Sequence, residues 1–195
     1  MITIREVDRL ESFSDAVFAI VITIAVLALR VPQQATLESL RDILPIFLVY
    51  IFSFQTIGTY WNNHHHLLQA SKRISTKIMW ANLHLLFWIS LIPFTMEWLG
   101  KNIGAIWSTA AFAFVLLMCG VAYRILVFTI VFHHGQDSEL AHAIGNDAKG
   151  WISIGAYVLA LILAFVAPWA SYVVVVLVAL MWFIPDKRLQ GQLKN

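Results

Sequence analysis

The 195-residue sequence predicts an all-α integral membrane protein that crosses the bilayer six times. Three observations point there. Apolar residues make up 60% of the chain and charged residues 12%, against about 25% charged in an ordinary soluble domain. The apolar residues gather into six runs near the roughly 20-residue length that a helix needs to cross hydrocarbon. Lysine and arginine concentrate in alternate connections between those runs, as the positive-inside bias demands.

The first run, about Phe13 to Leu29, ends at Arg30-Val31-Pro32, where proline discourages a further helical turn. Arg5, Glu6, Asp8, Arg9 and Glu11 precede it and no small-residue cleavage site is present, so it is expected to stay as a helix rather than leave as a signal peptide. The second run, about Leu40 to His65, has Thr36 and Ser39 ahead of it, both suitable N-caps. The third, about Ile78 to Leu99, contains Pro93 and is expected to kink there. The fourth, about Ala105 to Phe132, is long enough to protrude into water. The fifth, about Ile152 to Val166, and the sixth, Ala170 to Ile184, are joined by the tight turn "VAPWAS".

With the N-terminus in the cytoplasm, that side carries nine basic residues: Arg5, Arg9, Lys72, Arg73, Lys77, Lys149, Lys187, Arg188 and Lys194. The opposite side carries three, Arg30, Arg41 and Lys101, and Arg124 falls within the fourth helix. Both termini are therefore expected inside. Trp61, Trp80, Trp98, Trp107, Trp151, Trp169 and Trp182 lie near the ends of the runs, where an aromatic belt would sit. One domain, 1–195, is expected, with a polar cytoplasmic loop at 133–150 and a cytoplasmic tail at 186–195. Internal repeats and low-complexity segments are not evident.

Several functions are disfavoured at this level. A net charge of +2, scattered along the chain, gives no footprint for nucleic acid. The single cysteine, Cys119, allows no disulfide framework. "NNHHHLL", with His133, His134 and His142, invites a metal or a histidine-dependent membrane enzyme. Adjacent histidines on a helix diverge by about 100°, and no acidic residue stands at ligand spacing in that stretch, so no metal site is expected. No Ser/His/Asp or Cys/His arrangement has usable context. A proton- or metal-coupled transporter working through Asp15 and the histidines is an alternative, but repeats and interrupted helices at the midplane are its usual signature.

The first helix separates into two faces. Advancing about 100° per residue from Ile20, the residues Phe13, Ala16, Val17, Thr23, Ile24 and Leu27 fall within about 60° of it. Asp15 and Glu11 lie on roughly the opposite side. The apolar stripe suits an ordinary core or lipid-facing surface as well as a pore, and Asp15 suits a cap or an interhelical hydrogen bond. Spacing alone does not choose.

The residues "RLESFSD" followed by "AVFAIVITI" resemble the Arg-x-x-x-Phe-Ser-Asp signature of the transmembrane protein 175 family, potassium-permeable channels of lysosomes with shorter prokaryotic relatives. Arg9, Phe13, Ser14 and Asp15 all match. Trp61 with His64 and His65 on the second helix is similar to the family as well. The resemblance implies a homotetramer embedded in lipid, six helices per subunit, with the first helix lining a central pore and potassium as the permeant ion. It implies no cofactor and no catalysis. It also implies that Ile20, Ile24 and Leu27 form an apolar constriction, with Thr23 as a polar layer linked to potassium preference. The Thr-Val-Gly-Tyr-Gly filter of other potassium channels is absent from the sequence. Asp15 and Ser14, pointing away from the stripe, are expected to meet Trp61, His64 and His65. Arg9 projects toward the pore side, either to line the inner vestibule or to curl back to the network, and Arg30 at the outer end, unless it points away or pairs, would form a ring of positive charge that repels cations.

Overall fold

The computed structural model describes residues 6–71, 73–135 and 147–183. Seven helices and no strand occur among them: α1 (Glu6–Val26), α2 (Leu37–Ala70), α3 (Thr76–Ser90), α4 (Ile92–Lys101), α5 (Ile106–His134), α6 (Ala148–Val166) and α7 (Pro168–Phe183). Leu91 alone separates α3 from α4, so the two make one membrane pass and the chain makes six. Four stretches are long and apolar enough to cross a bilayer, Leu37–Ala70, Thr76–Lys101, Ile106–His134 and Ala148–Val166, while Pro168–Trp182 is apolar but shorter. Helix α1 has 21 residues, about 31 Å at 1.5 Å per residue, with its charges confined to its first half.

The boundaries follow local chemistry. Helix α1 stops at Val26, earlier than the apolar run does, and Leu27 and Leu29 close a tighter turn onto the carbonyls of Ile24 and Val26 at 3.0 Å each. Val31 cannot easily be helical before Pro32, which accounts for the early stop. Thr36, not Ser39, caps α2 by accepting from the Ser39 N–H at 3.3 Å. At its other end α2 continues five residues beyond His65, because backbone hydrogen bonding persists after side-chain apolarity fades. The break at Leu91 stands where Pro93, in the first turn of α4, supplies no N–H to the turn behind it.

Helices enter both ends of the stretch 133–150 expected as a loop. His133 and His134 form the last turn of α5, and Ala148 to Gly150 begin α6. Residues 136–146, Ile184 and the tail at 186–195 lie outside the described residues. Asp147 caps α6, its Oδ1 accepting from the Gly150 N–H at 3.2 Å. The same carboxylate pairs with Arg124, whose guanidinium also lies 4.8 Å above the Trp151 ring. Arg124 therefore finds its acid at the start of the next helix, while Glu97 pairs with Lys101 on its own helix.

Helix α5 is the central element, packed against α3, α4, α6 and α7. Its face at Phe112, Leu116, Cys119, Ala122, Leu126 and Ile130 is buried throughout. Helix α1 lies apart from it, against α2, α3 and α4. Helices α2 and α4 approach closely at Gly100, where an added Cβ would stand 2.9 Å from the Cα of Ile46. No side chain can retreat from a backbone contact, so the crossing requires glycine. Gly100→Ala is expected to destabilise the fold by about 1–3 kcal/mol, as overpacking does. Gly155→Ala, which meets nothing within 4 Å, should be neutral or slightly stabilising in a helix. Thermal unfolding of the two variants in one detergent checks the contrast.

Candidate functional site

Helix α1 buries Val7, Leu10, Ser14, Phe18, Val21 and Ala25, residues three or four apart that form one continuous stripe. Among these the polar member is Ser14, fully buried at 0% exposure. Its hydroxyl donates to the Leu10 carbonyl at 2.8 Å and accepts from the Nδ2 of Asn82 on α3 at 2.9 Å. The Oδ1 of Asn82 in turn lies 2.6 Å from Nε2 of His64 on α2. Since Asn82 presents a carbonyl oxygen there, His64 is the donor and its proton resides on Nε2. Asn82 and His64 are also 0% exposed. Phe18, one turn along α1, packs on the His64 ring at a centroid distance of 5.4 Å. Three helices thus meet at one hydrogen-bonded chain: Leu10, Ser14, Asn82, His64.

A second, half-buried layer lies beside it. The indole N–H of Trp61 donates to Oδ1 of Asp15 at 2.9 Å. Nδ1 of His65 stands 2.6 Å from Oε1 of Glu11. Trp61 and His65 stack on each other at 5.9 Å with an interplanar angle of 24°. The structure therefore brings Ser14, Asp15, Trp61, His64 and His65 into one region, but with different pairings from those expected. Asp15 receives the indole and no imidazole hydrogen bond; His64 reaches α1 only through Asn82, and His65 faces Glu11. Asn82 and Glu11 were not singled out as site residues. The signal for Asn82 was available: an amide in the apolar run "MWANLHLLFW" is costly at membrane depth unless it is paired.

The other face of α1 has no cover among the described residues. Ile20 is 56% exposed, Ile24 50% and Leu27 77%. Phe13, Arg9 and Thr23 are exposed on α1 as well, and Arg30 is exposed just beyond it. Leu27 sits on the turn that follows the helix rather than within it. The Thr23 hydroxyl donates back to the carbonyls of Ala19 and Ile20, each at 2.9 Å. With its hydrogen held by the backbone, the oxygen presents lone pairs outward and acts there as an acceptor. The geometry is a helix anchored by polar groups on one side and displaying branched apolar groups, interrupted by one oxygen layer, on the other.

Comparison with known proteins agrees with this layout. The sequence profile of the family described as "Endosomal/lysosomal potassium channel TMEM175" matches residues 9–93, from Arg9 through α1, α2 and α3 to Pro93. A protein of Chryseobacterium sp. (strain P1-3) named as a potassium channel is 49% identical over 187 residues, 96% of this chain and 97% of that protein. One from Chamaesiphon minutus, also named as a potassium channel, is 29% identical over 181 residues, covering 85% of this chain and 88% of the relative. The crystal structure of a lysosomal potassium-selective channel TMEM175 homolog from Chamaesiphon minutus superimposes with a TM-score of 0.80 at 28% identity, over 92% of this chain and 97% of that one. With similarity running along nearly the whole length at 49% identity and the profile spanning the anchored helix, the chain belongs to the TMEM175 channel family.

Proposed function

We propose that the protein is a potassium-permeable cation channel, assembled as a homotetramer, in which the uncovered face of α1 lines a central pore. The observation that carries this reading is the opposition of the two faces of α1, with the buried Ser14–Asn82–His64 chain on one and exposed Ile20, Thr23, Ile24 and Leu27 on the other. The relatives named as potassium channels support the choice of ion. As a member of a channel family the protein is not an enzyme, and no cofactor belongs to its activity; potassium is the permeant species. It is a multi-pass membrane protein. Both termini face the cytoplasm of a prokaryotic inner membrane in this reading, following the lysine and arginine distribution.

The mechanism follows from wetting. Isoleucine side chains converging on an axis exclude water over a short length, and an ion that cannot keep its hydration shell does not pass. Ile20, Ile24 and Leu27 are the constriction and gate; a roll or outward shift of α1 rewets it. Thr23 stands between Ile20 and Ile24, where its oxygen replaces part of the hydration of a potassium ion. A flexible hydroxyl layer discriminates less sharply between sodium and potassium than a rigid ring of carbonyls. Ser14, Asp15, Trp61, His64 and His65 set the orientation of α1 rather than touching the ion on its path, while Arg9 and Phe13 share the uncovered face with Ile20.

Three measurements test the reading. In potassium-loaded liposomes, Ile20→Asn is expected to raise potassium flux several-fold by wetting the constriction; unchanged flux removes Ile20 from the gate. Asn82→Ala leaves the donor of His64 and the acceptor of Ser14 buried without partners, costing about 1–3 kcal/mol. It should lower the unfolding temperature and raise resting leak together, and stability loss with wild-type leak would mean that the chain does not aim the pore. Arg30→Gln, which removes positive charge near the mouth, is expected to increase conductance most at low salt, where screening is weakest.

A further inference from the structure

The half-buried layer beside the anchor holds one set of groups that hydrogen bonding does not fully account for. Glu11 and Asp15 stand four residues apart on α1, hence on one side of it, and His65 of α2 faces them. One ligand atom from each lies within 4.8 Å of the other two. Nδ1 of His65 is buried and only 2.6 Å from Oε1 of Glu11, yet it makes no aligned hydrogen bond. Such a close, misaligned nitrogen–oxygen pair beside a second carboxylate is the donor set of a metal site lacking its metal's bonding direction. We infer that Glu11, Asp15 and His65 form a binding site for a divalent transition metal of the zinc type, which ties α1 to α2.

The chemistry selects the metal class. One imidazole and two carboxylates suit zinc and its neighbours, whereas magnesium and calcium prefer all-oxygen sites. Two ligands of a tetrahedral zinc ion at about 2.0–2.1 Å from the metal are roughly 3.3 Å apart, so Glu11 and His65 need to open by less than an ångström from their present separation. Water completes the fourth position. The outer shell is already in place: the Trp61 N–H holds Asp15 at 2.9 Å, and the Trp61 ring stacks on His65, fixing the orientation of two of the three ligands. Access is open, since the side chains of His65 and Glu11 are 30% and 18% exposed. The sequence concealed this arrangement because the acids belong to a different helix from the histidines.

The site stands independently of the pore. Its effect on flux rests on the proposed channel reading, because an ion linking α1 to α2 would restrain the helix proposed to move. The test is therefore a binding measurement on the full chain, purified without a histidine tag in detergent and titrated calorimetrically with zinc chloride. One zinc per chain is expected, undiminished by millimolar magnesium. His65→Gln and Glu11→Gln should each weaken binding at least tenfold, while His133→Gln, on exposed α5 surface, should not. Zinc should also raise the unfolding temperature of the wild type and not that of Glu11→Gln. Gel filtration and tryptophan fluorescence establish that the variants are folded; if His65→Gln is not, Glu11→Gln decides. Absence of zinc binding, equal affinity in wild type and Glu11→Gln, or loss only in His133→Gln overturns the assignment. Absent potassium flux in liposomes with intact zinc binding would instead count against the channel reading alone.

Discussion

The roll angle of α1 is set by one buried chain of hydrogen bonds, and the rest of the candidate site depends on it. In water, an amphipathic helix finds its orientation by hiding its apolar stripe. In a bilayer that force vanishes, because lipid tails are as apolar as leucine and isoleucine. A helix reading "AVFAIVITIAV" would lie almost equally well with any of its faces outward. What breaks the degeneracy is Ser14, paired with Asn82, which is paired with His64, all without exposure. Turning α1 by one residue position, about 100°, would carry the serine away from the amide and leave the Nδ2 of Asn82 and the Oγ of Ser14 without each other. Each such group costs about 1–3 kcal/mol, a penalty that exceeds any difference among aliphatic faces.

The charged half of the motif acts on a different side of α1. Asp15 and Glu11 are only half buried, and each meets a ring on α2: Trp61 for one, His65 for the other. Half-exposed carboxylates avoid the full desolvation penalty of a buried charge. The two layers divide the work. The buried layer fixes the roll of the helix where water is excluded; the half-buried layer, which is reachable, joins α1 to α2. A metal ion at Glu11, Asp15 and His65 would act on the half-buried layer without disturbing the buried one.

Much of the fold was legible because the bilayer does the reading. Its thickness sets the length of each apolar run, so composition and run lengths lead directly to an all-α membrane protein with six passes. Ends were less legible. The expected end of α2 at His65 tracked the loss of apolarity, but the helix carries its backbone bonds on to Ala70. Pairings across the bundle were the least legible. Asp147 reaches Arg124 from 23 positions away, and Asn82 sits 68 positions from Ser14. Neither distance leaves a trace in local periodicity. Trp61, His64 and His65 were singled out by resemblance, yet which of them bonds to which acid is a matter of rotamers and helix crossing, and is resolved only in three dimensions.

An apolar constriction places an unusual demand on the helix that carries it. A carbonyl-lined filter holds its own geometry through ion coordination, since each oxygen is drawn to the ion it binds. Isoleucine side chains have no such restoring force: dispersion contacts are weak individually, about 0.1–0.2 kcal/mol per atom pair, and indifferent to direction. The gate proposed at Ile20 and Ile24 therefore cannot position itself. The direction must be imposed from behind, by bonds that are directional and by surroundings that make those bonds expensive to break. That is what Ser14, Asn82 and His64 supply on the opposite side of the helix. In the proposed channel, the buried polar groups of α1 and its exposed apolar face are thus two halves of one device.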